Sequence, residues 1–203
     1  LLIYAIAYKT GASRITVILA GIAISSLFGA VTDAIVTIFP DSLIGSNAFA
    51  VGGFSGVTLE KMKLAAMYIS IGLAAALVMS YDLNVMALGD EMASSLGMRT
   101  GIYRFIFIII ASLLAGSAVS FSGLLGFVGL IVPHAARFLV GHDNRLLIPA
   151  SMLMGSAFCL ICDLISRLIF SPFEIPVGIV MSFIGGPFFV YLLFRQKRGR
   201  LYD

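Results

Sequence analysis

The sequence predicts an all-α, polytopic transmembrane helical bundle, and two observations carry that prediction. Of the 203 residues, 60% are hydrophobic and 11% charged, whereas a soluble domain keeps roughly a quarter of its residues charged. The apolar residues also fall in long uninterrupted runs, and a helix needs about 20 mostly apolar residues to cross about 30 Å of hydrocarbon. Five runs meet that length within the latitude that tilt allows, with a shorter sixth, so about six complete spans are expected.

The runs in order are Ile15 to Phe39, Leu64 to Tyr81, Ile102 to Ser120, Leu124 to Val140, Leu146 to Leu168 and the shorter Val177 to Phe194. The opening LLIYAIAY, too short to cross before Lys9, reads as the tail of a span that begins outside this sequence. Basic residues cluster on alternate connections: Lys9 and Arg14, Arg99 and Arg104, Arg145, then Arg195, Lys197, Arg198 and Arg200. Basic loops resist translocation, which places these connections and the C-terminus on the cytoplasmic side. The tail RQKRGR is then an anchor at anionic lipid rather than a nucleic-acid site. Cys159 and Cys162, three apart in a span, read as small apolar packing residues.

Two connections have distinct character. The outer one, Pro40 to Lys63, is rich in Gly and Ser with apolar interruptions and predicts a partly re-entrant or surface-lying segment. The inner one, Tyr81 to Arg104, predicts a helix over Glu91 to Leu96, with Asp90 accepting backbone N–H bonds as cap, Glu91 at the positive dipole end and Gly97 taking the left-handed stop. Such a helix is either a loop tidied by interfacial Leu and Met or a knob for a groove on a soluble partner.

Polar residues inside the spans need partners. Asp163 and Arg167 are spaced to pair one turn apart, whereas Asp33 has no such neighbour. Gly123, Gly126 and Gly129 predict a flat strip on one helix face. Pro133 predicts a kink, with His134 as a packed histidine and Arg137 snorkelling to the inner end. Pro176 opens the last span with Glu174 near its positive end, and Gly186–Pro187 predicts a break near that span's centre, as in spans that line transport pathways. Two other readings compete: an ion-coupled transporter using Asp33, and an intramembrane metalloenzyme around His134. No metal site is expected, because His134 and His142 are eight apart rather than three or four.

Taken together, GLLGFVGLIVPHAARFLVGHDNRLLIPASMLMG, DLISR, FEIPVGIVMSFIGGPFFVYLL and the inner-loop run LNVMALGDEMASSLGM resemble the FecCD-like permease family, the membrane subunits of type II ABC importers for ferric siderophores, haem and cobalamin. The resemblance implies the type II importer permease fold in a single domain over residues 1–203, the end of a fourth span followed by spans five to ten, and a bacterial plasma-membrane location. It further implies a second permease subunit, a substrate-binding protein outside and cytoplasmic ATPases that hold the ATP and magnesium. The chain itself has no GxxxxGK[ST] loop and needs no cofactor. Residues 84–98 match the family's ATPase-coupling segment, which assigns coupling to Asn84, Ala87, Leu88, Gly89, Asp90, Glu91, Ala93, Leu96 and Gly97. Arg167, Lys61 and Glu174 become candidates for docking the binding protein, and the pathway falls to the spans Ile15 to Phe39 and Val177 to Phe194.

Overall fold

The computed structural model describes residues 14–169 and 175–199. These residues form α1 (Arg14–Ile38), a 3-10 turn (Pro40–Ser42), α2 (Leu43–Val51), α3 (Leu59–Val78), α4 (Ser80–Ala87), α5 (Asp90–Ser95), α6 (Thr100–Ser122), α7 (Val128–Val140), α8 (Asn144–Ile169) and α9 (Val177–Gly199). The described residues contain no strand. A backbone in hydrocarbon satisfies its own polar groups most simply as helix, which is why the apolar runs fold this way.

Among the described residues three single helices, within α1, α6 and α8, are long and apolar enough to cross a membrane, α3 and α4 make a fourth candidate as a pair bent by 58°, and α7 and the Val177–Tyr191 part of α9 are shorter apolar helices. The run Leu124 to Val140 yields the 13-residue α7, about 20 Å long at about 1.5 Å per residue, because residues 124–127 are not helical. Leu64 to Tyr81 loses its end to α4, which starts at Ser80 after the bend.

The predicted glycine strip is overturned. Gly123 ends α6 at φ 67°, Gly126 lies in the irregular stretch and Gly129 alone is helical. The chain breaks there, and α7 runs on as one helix with Pro133 inside it. Phe127 enters α7 at φ 64°, a left-handed conformation that a residue with a Cβ adopts at a cost of order 1 kcal/mol or more. Its ring abuts Gly185 of α9, where any side chain would collide with it. The expected break at Gly186–Pro187 is absent: α9 runs through both as one helix, and Gly185 is the residue a neighbour needs small.

Packing is pairwise. α3 lies along α6, with Leu114 nested over Gly72. α7 pairs with α8, and α8 with α9, around Cys162, Val177, Val180 and Met181, so the cysteines do pack as small apolar side chains. At the end opposite the basic loops, backbone bonds join three elements: Leu124 N–H to Phe49 O at 2.9 Å, Gly53 N–H to Ser122 O at 2.8 Å, and Gly178 N–H to Gly52 O at 3.3 Å. Glycines make the approach possible; a Cβ on Gly52 would stand 2.5 Å from the Leu124 carbonyl oxygen. The segment after α1, read from sequence as re-entrant or surface-lying, is thus a 3-10 turn and a helix whose end is sewn to α6 and α9.

Candidate docking segment and translocation elements

At the basic end, α4 and α5 meet at Gly89, whose φ 99° and ψ 159° suit glycine alone. The turn closes with Leu88 N–H to Val85 O and Gly89 N–H to Met86 O, and α5 opens with Ala93 N–H to Gly89 O at 2.9 Å. Gly97 stops α5 at φ 84°. Met98 N–H reaches Ala93 O at 3.1 Å and Gly97 N–H reaches Ser94 O at 2.9 Å, the paired bonds of a Schellman stop. The helix legible in the sequence is therefore present one residue earlier, at Asp90–Ser95, and its stop falls at Gly97 as expected.

Asp90 does not cap. Gly89 occupies the cap position, so the Asp90 carboxylate lies in the first helical turn and instead accepts from the Arg104 guanidinium, tying α5 to the start of α6. Ala93 is fully buried beneath α5, a support rather than a contact surface. The outward side is apolar: Leu88 is 60% exposed, Met92 61% and Leu96 68%. Ala87, Gly89 and Glu91 are exposed around them. These exposed apolar side chains stand beside Glu91 and the Asp90–Arg104 pair.

Asn84 faces the other way, into the α7–α8 turn. Its Nδ2 donates to Asp143 Oδ1 at 2.7 Å, while its Oδ1 accepts from Asn144 N–H at 2.9 Å and Asn144 Nδ2 at 2.8 Å. Asp143 Oδ1 also accepts the Arg145 backbone N–H at 3.0 Å, and its carbonyl oxygen receives Leu146 and Leu147 N–H to start α8. The Arg145 backbone bond, then the Asn84 bond, hold the Asp143 carboxyl below the usual carboxylate range. The Arg145 guanidinium stands 4.9 Å from the centre of the Tyr81 ring.

Among the remaining candidates, Arg167 Nε donates to Asp163 Oδ2 at 2.9 Å, the pair expected from their spacing. Lys61 lies in the first turn of α3 and Glu174 outside the described residues. His134 is exposed rather than packed, because α7 buries Val132 and Ala136, two positions to either side and so on the opposite face. Arg137 is exposed near the end of α7, where its carbonyl oxygen accepts Gly141 N–H at 3.0 Å. The described residues hold no group of three or more His, Cys, Asp or Glu placed for a metal. A cavity of about 730 Å³ lies against the sewn end, lined by Val51, Val119, Leu124, Gly178, Ser182 and Phe183. Gly52, Gly178 and Gly185, which shape that region, carry no signal in the sequence beyond being glycine.

Residues 1–195 match the FecCD transport family. The chain belongs to this family. It is 37% identical over 191 residues to the iron(3+)-hydroxamate import system permease protein FhuB of Bacillus subtilis (strain 168), covering 94% of this chain and 50% of that one. It is 38% identical over 192 residues to the cobalamin import system permease protein BtuC of Halobacterium salinarum, covering 94% and 52%. A solved structure described as an inward-facing conformation of an ABC transporter of metal-chelate type superposes with a TM-score of 0.86 at 30% identity, over 96% of this chain and 62% of that one. The chain thus spans about half the length of the curated relatives it matches. The FecCD chain is a membrane protein with the permease fold, in a family of permease subunits that are not themselves ATPases and generally carry no cofactor of their own.

Proposed function

We propose that this chain forms part of a permease subunit that carries an iron chelate, first a ferric siderophore, inward through a bacterial plasma membrane, driven by cytoplasmic ATPases. The observation that carries this reading is the α4–Gly89–α5 segment, closed by the stop at Gly97, supported by buried Ala93, and presenting Leu88, Met92 and Leu96 outward. Gly89, Gly97, Ala87 and Glu91 belong to that docking face, while Asn84, Asp90 and Ala93 hold it in place. The names of the relatives, which speak of hydroxamate and cobalamin import, support the cargo class.

The basic loops and the tail Arg195 to Arg200 support a cytoplasmic C-terminus. A second permease subunit completes the pathway, with α1 and α9 lining it; α1 packs on little beyond the 3-10 turn and leaves Leu27, Phe28 and Val31 uncovered. Outside, Arg167, Lys61 and Glu174 are the residues of this chain assigned to receive the binding protein. The intact complex with its ATPase and binding protein tests the core claim. Leu88→Arg is expected to abolish stimulated ATP turnover and uptake of labelled ferric siderophore together; wild-type values in both would refute it.

A further inference from the structure

If a partner moves the α4–α5 segment, something must pass that movement to the spans, and the covalent path is soft. α3 reaches α4 through a 58° bend, and α5 reaches α6 through the turn at Gly97. A second path runs through side chains. Tyr81 and Asn84 lie one turn apart on α4 and engage the start of α8 at two points, Arg145 over the Tyr81 ring and the Asn84 amide bonded at both ends to Asp143 and Asn144. These contacts join residues about 60 positions apart, so they do not follow from chain connectivity.

We infer that Asn84 is the latch by which the docking segment drives the α7–α8 hairpin, a positioning residue acting through Asp143 and Asn144. The inference rests on the proposed function and deepens it. Its mechanical logic lies in α8. That helix has 26 residues, about 39 Å at about 1.5 Å per residue. Its first turn is held by the latch, and Cys162 and Ser166 near its far end are buried, with Cys162 against Val177 and Met181 of α9. A pull at Asn144 is therefore delivered as a displacement of the core around the start of α9, which also forms the wall of the cavity at Gly178, Ser182 and Phe183. The amide suits the task because it both donates and accepts, which resists sliding and rotation alike.

Donor–acceptor reversal in the intact complex tests the latch, read as substrate transported per ATP hydrolysed. Asn84→Asp sets two carboxylates against each other and is expected to lower that ratio at least about fivefold, the lower end of measured couplings between sites, with the ATPase still co-purifying. Asp143→Asn keeps an amide oxygen as acceptor for Arg145 N–H and Asn84 Nδ2 and serves as the background for the exchange. Combining the two exchanges donor for acceptor and is expected to restore it, whereas a loop merely loosened would lose yield and leave the ratio alone. Asn84→Ala, which introduces no charge, is expected to fall like Asn84→Asp. A wild-type ratio in either single Asn84 variant, or no recovery in the double variant, overturns the latch. Leu88→Arg run alongside separates the two claims: loss there with Asn84→Asp intact removes the latch alone, and no loss there removes the driven permease reading as well.

Discussion

Replacing Gly178 by alanine is the most direct test of how the outer ends are joined. The new methyl would overlap the Val51 carbonyl oxygen, far inside van der Waals contact, and stand 3.0 Å from its carbon, with Gly52 O at 3.2 Å. These are backbone atoms, so no rotamer change relieves the clash; the N-terminus of α9 must withdraw from α2. Overpacking of this kind costs about 1–3 kcal/mol, and withdrawal also lengthens the 3.3 Å bond from Gly178 N–H to Gly52 O, itself worth about 1 kcal/mol. Against this, alanine in a helix gains up to about 1 kcal/mol over glycine. The net expectation is a loss of about 1–3 kcal/mol, or a fall of roughly 2–12 °C at 2–4 °C per kcal/mol for a chain of this size. Thermal unfolding of the purified protein in detergent measures it. Gly186→Ala is the matched control, since nothing lies within 4 Å of its added Cβ, and its midpoint should hold or rise. Equal midpoints for Gly178→Ala and wild type would refute the argument from close backbone approach.

Gly97→Ala places a Cβ at φ 84° and should cost about 1–2 kcal/mol, read as faster proteolysis or amide exchange confined to residues 80–100. Asp90→Ala removes a half-exposed ion pair with Arg104, a class of contact worth at most about 1 kcal/mol, so the melting midpoint should barely move. For Asp143 the folded carboxyl lies below its ordinary value of 3.8, so its contribution is present above that value and is lost as pH falls through the lower folded value. The protection of the Arg145 amide, relative to the intrinsic exchange rate at each pH, should therefore be constant from about pH 5 to 8 and fall only in acid below about 3.8; a step in protection near neutrality would contradict the assignment.

What the sequence made legible were features fixed by neighbours in the chain. The apolar runs, the stop at Gly97 and the pair Asp163–Arg167 all depend on residues within a few positions, and all are in the structure. Misreadings arose where distant segments decide. Three glycines at a spacing of three look like one helix face, but Gly123 and Phe127 are left-handed because Phe49 and Gly185, far away in sequence, accept them there. Asp90 was a plausible cap until Arg104, fourteen residues on, claimed its carboxylate. Asn84 carried a signal of place but not of direction, since its partners at 143 and 144 come together only when α4 folds against α8.

The stitching of α2, α6 and α9 through main-chain atoms has a consequence for diversification. Peptide groups are the same whatever side chains they bear, so the seam demands small residues at a few points and nothing of the side chains between them. Val51, Val119, Ile179 and Phe183, which face the adjoining hollow, can be exchanged for bulkier or more polar ones without unpicking the frame. A scaffold built this way lets the lining of the hollow change in size and polarity while the seam stays as it is.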